Sequence, residues 1–479
     1  MLRLVICFLL ASVVPRCLPA QGRPNLLVIY LDDFGWRDCG FMGSDFYETP
    51  NLDRLAGEGM VFTDAYAGAA NCAPSRACLM SGRYTPRHQI YNVGTGPRGK
   101  AKHRRLLHVP GTDVLDPNLK TWPARLQDAG YVTGTLGKWH LSDDPLPYGF
   151  DVNVAGTHSG SPPKGYYPPH PNVPGLGDAP EDEYLTDRLT EEAVAFIRGN
   201  AAKDWMLYLT HFAVHTPLNA KKELLAKYEA KPPGKLHDHV AMATMVQAVD
   251  DGIGKILATL KELQLDERTV ILFTSDNGGY GPATDMHPLK GYKGTYYEGG
   301  IRVPMFVRWP GRIEAGRRVD QPVAQIDLYP TICELAGIPG DADDPARPLD
   351  GISLVPLLTG QTDRLPERSL HWHFPAYLQA YRGVTDEQRD PLFRSRPCGI
   401  IRHGDWKLHQ YFESGDLELY NLRDDIGETT NLATSHPERR DELLRRMTAW
   451  RKRVGAPVPA TPNPDFDAAA EAAAVASLR

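Results

Sequence analysis

The stretch Asn25-Leu26-Leu27-Val28-Ile29-Tyr30-Leu31-Asp32-Asp33 stays apolar from Leu26 to Leu31 and then stops on two adjacent carboxylates. An apolar run without alternation reads as a strand covered on both faces, the usual condition of a parallel strand in an α/β protein. Residues 131–136, 206–212, 270–275 and 303–309 read the same way. Helical periodicity separates these runs. It is clearest over 237–263, where Met242, Met245, Val249, Ile253, Ile256 and Leu260 share one face. Strands alternating with helices predict an α/β fold whose mostly parallel sheet is flanked by helices. Ligands of such sheets bind beyond the carboxyl ends of the strands. Asp32 and Asp33 end the first run, Lys138 and His140 follow the second, His215 the third, and Asp276 and Asn277 the fourth. Side chains distant in sequence are therefore expected along one edge.

Asp32, Asp33, Asp276 and Asn277 offer only oxygen ligands, which suits a hard cation such as Ca²⁺ or Mg²⁺ better than zinc. An Asp-Asp pair alone is more often a turn or a helix cap. Two polar pairs at matching strand ends favour the cation. A second cluster is Cys72-Ala73-Pro74-Ser75-Arg76. Pro74 suits a first helical turn, because its missing N–H leaves nothing unsatisfied there. Cys72 then falls at a helix N-terminus, where free N–H groups favour anions. The competing reading is a structural cysteine paired with Cys78, though a six-residue spacing is awkward for a bridge within one helix.

Cys72-x-Pro74-Ser75-Arg76, continued by Ser81-Gly82-Arg83, resembles the signature of the type I sulfatase family, within the alkaline phosphatase superfamily. That signature usually has Thr where Ser81 stands. Asn25 to Asp33 resembles the family's first metal strand, Gly137-Lys138-Trp139-His140 its Gly-Lys-Trp-His element, and Thr274 to Gly278 its second metal strand. Lys293-Gly294 through Glu298-Gly299-Gly300-Ile301-Arg302-Val303-Pro304 matches its late lysine segment. The resemblance covers roughly residues 24–340 in order. It implies an alkaline-phosphatase-like fold, one Ca²⁺ per chain, and formylglycine made from Cys72 by a formylglycine-generating maturation enzyme. It also implies roles: Asp32, Asp33, Asp276, Asn277 and residue 72 on the cation; Arg76 supporting the hydrated aldehyde; Lys138 and Lys293 facing the sulfuryl oxygens. His140 would take a proton as sulfate leaves, and His215 would protonate the departing alcohol. Lys290 competes with Lys293, which is preferred because it directly precedes the matched Gly294. The expected substrate is a sulfate ester, with a sulfated carbohydrate favoured. The rival functions are a phosphate or phosphonate ester hydrolase of the same superfamily, and an inactive glycan-binding homologue.

Of 479 residues, 53 are basic and 59 acidic, a net charge of −6 that gives no reason to expect nucleic acid. Arg3, the apolar run 4–14 and Leu18-Pro19-Ala20 read as a signal peptide over 1–20, too short to span a bilayer. Export to the periplasm or outside the cell is expected, with no later membrane span. Cys17 raises a lipid anchor, against which Arg16 argues. Removing the leader takes Cys7 and Cys17 and leaves an odd set: Cys39, Cys72, Cys78, Cys333 and Cys398. A catalytic domain over 22–345 is expected, with a polar, Pro-rich turn near 341–348. A smaller C-terminal α+β subdomain over 346–456 follows, with strands at 369–374, 399–403, 406–411 and 417–421 and a helix over 437–454. The Ala- and Pro-rich tail 457–479 is expected to be poorly ordered. A basic loop (Arg98, Lys100, Lys102, Arg104, Arg105) is either solvated or a contact for an anionic polysaccharide. His287 and the run His371-Trp372-His373 either line a sugar subsite or pack in the interior.

Overall fold

The computed structural model describes residues 22–177, 179–339, 348–381 and 389–478. The expected signal peptide, with Cys7 and Cys17, and most of the polar turn near 341–348 lie outside the described residues.

An eight-stranded sheet forms the larger part of the molecule. Its strand order is Val152–Val154, Val132–Gly137, Trp205–Thr210, Asn25–Leu31, Thr269–Ser275, Met305–Arg308, Met60–Phe62 and Arg317–Val319. The apolar run that opens the sequence lies in the interior of the sheet, parallel to both neighbours, with Leu27 opposite Leu207 and Ile271. Its alternate side chains enter different cores. Leu27, Ile29 and Leu31 join one, and Leu26, Val28 and Tyr30 the other. This is why the run carries no polar alternation: neither face meets water.

Helix Val240–Glu262 covers one face, contributing Met242, Met245, Val249, Ile253, Ile256 and Leu260 to the first core. The expected 3.6-residue stripe is the stripe that is buried. Helices Cys72–Ser81, Trp122–Asp128 and Leu328–Leu335 cover the other face.

Met305–Arg308, expected as a parallel strand, runs antiparallel to both neighbours. The physical reason is connectivity. Thr269–Ser275 delivers the chain to the carboxyl edge, and residues 276–301 remain there, as Gly278 N donating to Gly300 O (3.0 Å) and Lys293 N to Gly279 O (2.9 Å) show. The chain re-enters the sheet from the edge at which it left and must run backwards.

Beyond residue 348, strands Ser369–Phe374, Cys398–His403, Trp406–Tyr411 and Leu417–Asn421 form an antiparallel sheet. Helix Pro437–Val454 lies on it, with Leu443 and Met447 against Ile401, Leu408 and Leu419. The tail corrects its expectation. Helix Ala468–Ala476 is capped by Asp467, and Glu471 forms ion pairs with Arg105 and Arg396. Charge pairing to two other segments holds a stretch whose own composition could not form a core. None of the described helices is long and apolar enough to cross a membrane.

Candidate active site

The carboxyl ends of four parallel strands meet the N-terminus of helix Cys72–Ser81. Asp32 and Asp33 follow Leu31, and Asp276 and Asn277 follow Ser275 on the adjacent strand, all buried. Asp33 takes a left-handed backbone, φ 57°, with its N–H donating to Asp276 Oδ1 at 3.1 Å. A left-handed non-glycine residue costs about 1 kcal/mol or more and persists where its surroundings over-determine it. The reversal turns both neighbouring carboxylates toward the same space.

Cys72 is the first residue of its helix, and Pro74 sits in the first turn. Its Sγ lies 3.4 Å from Asp32 Oδ1 and 3.9 Å from Asp33 Oδ1. Burial, then the charge of Asp32, pushes its thiol up to about 12, so the sulfur is protonated and neutral at neutral pH. Cys78 contacts His88 Nε2 at 3.4 Å, and the five described cysteines are all free, which removes the Cys72–Cys78 bridge.

Three buried cations balance the three carboxylates. Arg76 donates from Nε and Nη2 to Asp276 Oδ2 (3.1 and 2.9 Å), and from Nη1 to Lys138 O and Thr210 Oγ1. Lys138 Nζ pairs with Asp32, and Lys293 Nζ lies 2.7 Å from Asp33. Burial raises the Asp33 carboxyl, but Lys293, His215 and Lys138 together hold it well below the usual carboxylate range. Asp276, buried beside Asp32, is raised to about 6. Lys290 is elsewhere, over the Tyr297 ring at 4.2 Å.

His215 Nε2 faces Asp33 at 3.7 Å while Nδ1 contacts Thr216 O at 2.8 Å. His140 has a left-handed backbone, φ 65°, and a buried Nδ1 without a partner. Burial, and then the neighbouring cations, depress both imidazoles, His215 to about 3.

Ligand atoms of Asp32, Asp33, Cys72 and His215 lie within 4.8 Å of one another. Asp276 stands behind this group, with Oδ1 accepting from Asp33 N–H and Oδ2 from Arg76. Asn277 donates through Nδ2 to Asp33 Oδ1 at 2.9 Å, and its buried Oδ1 has no hydrogen-bond partner. An acceptor without a donor beside clustered carboxylates fits a hard cation. The sulfur of Cys72 is the one soft atom in the set.

Of this cluster Cys72 and His215 reach an open cavity of 390 Å³, lined with them by His140 and Lys293, and also by Asn71, Asn92, Arg98, Ser161, Tyr381 and Arg394. Of the last six, only Arg98 is named above, in the basic loop read as either solvated or a contact for an anionic polysaccharide. Ser161 lies in the loop 157–161, which carries no motif, and Tyr381 and Arg394 are brought in from the C-terminal region with no local signal. The basic loop divides: Arg98 lines the cavity, whereas Arg105 is engaged by Glu471. His371-Trp372-His373 does not line it. His371 stacks on Trp450 at 4.4 Å, Trp372 Nε1 donates to Ala67 O, and His373 contacts Pro457 O, so interior packing is the correct reading. His287 borders a separate hollow.

Comparison with known proteins gives the family of the chain and relatives of its fold. Residues 24–338 match the family model Sulfatase, and residues 292–453 match N-sulphoglucosamine sulphohydrolase, C-terminal. A protein named Sulfatase from Formosa agariphila is 31% identical, with 91% of this chain and 90% of that protein covered. The crystal structure of Ps i-CgsB in complex with k-i-k-neocarrahexaose superposes with a TM-score of 0.72 at 31% identity, over 89% of this chain and 92% of that one. The phosphonate monoester hydrolase of Agrobacterium radiobacter shares the fold, with a TM-score of 0.64 at 21% identity over 90% of this chain and 96% of that one. With a matched model spanning more than half its length and a relative similar along nearly all of it, this chain belongs to the sulfatase family of enzymes.

Proposed function

We propose that this protein releases sulfate from sulfated carbohydrates, with Cys72 oxidised to formylglycine and one Ca²⁺ held by Asp32, Asp33, Asp276, Asn277 and residue 72. The observation that carries the reading is the position of Cys72: at a helix N-terminus, 3.4 Å from Asp32, on the floor of the cavity. A neutral, soft thiol is poorly matched to oxygen ligands and a hard cation. An oxygen-bearing group at the same position matches them. A hydrated aldehyde there offers one hydroxyl to attack sulfur and a second whose deprotonation drives sulfate out, dividing one difficult step into two. Bound Ca²⁺ would polarise a sulfate oxygen.

The chain's own residues do the rest. Lys138 and Lys293 hold positive charge beside the place where sulfuryl oxygens would sit. Arg76 fixes Asp276 and, through Lys138 O, the turn that carries Lys138. His215 has its Nδ1 committed to Thr216 O, so Nε2 is the ring atom that faces the cluster, and the imidazolium form, favoured by a bound anionic sulfate ester, would give its proton to the leaving alcohol from there. His140 has an unpartnered Nδ1 available to take a proton. The oligosaccharide complex of the structural neighbour supports a carbohydrate over a small aryl ester. Export to the periplasm or beyond, where such polymers are met, completes the proposal.

The test is mass spectrometry of the peptide containing residue 72, from protein produced with the maturation enzyme, alongside sulfate release from paired sulfate and phosphonate esters. The expected result is an aldehyde at position 72, preference for the sulfate ester and no turnover by Cys72→Ala. Full turnover with an intact thiol would overturn the mechanism, and preference for the phosphonate would overturn the reaction class.

A further inference from the structure

Two arginines in the cavity are not absorbed by the chemistry above. Arg394 donates from Nε to Gln379 O (2.9 Å) and from Nη1 to Lys293 O (3.2 Å), and its guanidinium lies 3.8 Å over the Tyr381 ring. Two backbone carbonyls and an aromatic face fix its plane. None of these partners carries negative charge, and the rest of the five-donor fork remains available. Arg98 donates from Nη2 to Val93 O (2.8 Å) and is otherwise exposed. Among the described residues neither arginine has a carboxylate partner, whereas Lys138, Lys293 and Arg76 are each paired with an aspartate. No acidic residue lines the cavity among those described.

The placement is specific. Arg394 binds the backbone carbonyl of the same lysine whose Nζ reaches Asp33, so its guanidinium stands one lysine side chain away from the reacting centre. Arg98 belongs to the loop that starts at Asn92, and Asn92 Oδ1 accepts from Asn71 Nδ2, the residue preceding Cys72. Both arginines are thereby tied through short contacts to the groups that hold the cleaved sulfate. A cavity of 390 Å³ is near the small end of ligand sites, ~300–1,000 Å³, and suits one sugar ring with its neighbour at the mouth.

We propose, building on the sulfate-ester reading, that Arg98 and Arg394 form a second anion subsite. It reads a negatively charged group, sulfate or carboxylate, on the sugar adjoining the one that loses its sulfate. Planar guanidinium forks recognise either group bidentately. The preferred substrate is then a glycan carrying at least two anionic groups on neighbouring sugars, and the basic loop contributes one of its five cations to the task.

The experiment is calorimetric binding of three disaccharides matched in their sulfated sugar. The adjoining sugar is neutral in the first, sulfated in the second and a uronate in the third. Wild type is expected to bind the second or third at least ten-fold more tightly than the first, and whichever does so identifies the source of the charge. Arg98→Gln, on an exposed side chain, should lose part of that preference, and Arg98→Gln/Arg394→Gln all of it. Arg394→Lys, which keeps charge without the fork, should keep only part. Equal binding of all three probes by wild type, or an undiminished preference in the folded double variant, overturns the subsite. Loss of formylglycine chemistry at residue 72 would sink the catalytic reading while leaving this preference measurable, so the two fail separately.

Discussion

Arg76 is 1% exposed, with its guanidinium shared between Asp276 and, at 3.9 Å, Asp32. Its Nη1 also ties Lys138 O to Thr210 Oγ1, so one side chain joins the nucleophile helix to four strand ends. Removing one member of a buried ion pair leaves a charge without compensation, typically a loss of about 3–5 kcal/mol. Arg76→Ala should lower the denaturant midpoint by that order, and Arg76→Lys by less. An unchanged midpoint for the alanine variant would show that Asp276 is neutralised another way. At His371 the sign of a pH effect can be worked out. Burial, then Arg453, depresses its imidazole to about 3, from an ordinary 6.5. The unfolded chain therefore binds a proton that the folded chain refuses over this interval. Stability contributed by the neutral ring is complete above pH ~6.5 and is lost as pH falls, by about 1.4 kcal/mol per pH unit. Unfolding titrations from pH 7 to 4.5 should show this decline, and His371→Phe, which keeps the stack on Trp450, should make it shallower by the share of one ring, with His215 and the other buried histidines keeping the rest.

At the scale of elements, the loop 278–300 matters most, because it carries Lys293 to Asp33. Its path depends on close backbone approach: a Cβ on Gly278 would lie 1.9 Å from Gly299 O, and one on Gly299 would lie 2.0 Å from Gly291 O. No side-chain rotation relieves contact with a carbonyl, so the backbone must move. We expect Gly299→Ala to cost about 1–3 kcal/mol in stability and to lower kcat/KM on a sulfate ester at least ten-fold by displacing Lys293. Steady-state kinetics beside thermal unfolding checks both; full activity would show the loop to be tolerant. Elements of this kind differ in how far sequence discloses them. Leu26 to Leu31 and the stripe Met242 to Leu260 were readable because burial on two faces, or on one helical face, imposes a local pattern. The polar residues just past those strands were readable for the same reason, since strand ends share an edge. The direction of Met305–Arg308 was not, because orientation is set by where the preceding loop returns and no residue in the strand records that.

At the scale of the whole molecule, Arg394 and Tyr381 line the same cavity as Cys72 because the region beyond residue 348 packs against it. Such residues carry no motif, since nothing about Arg394 within its own segment separates it from the chain's other arginines. The tail is similar. Alanine-rich and nearly devoid of large apolar residues, it has no pattern that predicts packing, yet Glu471 meets Arg105 and Arg396, and Leu106 bridges to Pro462 in strand geometry. Asn463 donates to Ala101 O and Arg104 O. These contacts add to those that already hold the basic loop against the segment carrying Arg394, such as Arg396 Nη1 donating to His103 O at 3.4 Å. Truncation after Gly455 should therefore leave the central sheet folded, because neither main core draws on the tail. It should release Arg105 and Arg396 from Glu471 and loosen the loop 98–105. Hydrogen exchange of residues 100–107 is expected to rise by at least ten-fold in the truncated protein, while amides of Asn25–Leu31 stay protected. Unchanged exchange in the loop would mean that the tail rests on the surface without restraining it, and that contacts such as Arg396 Nη1 to His103 O hold the loop alone.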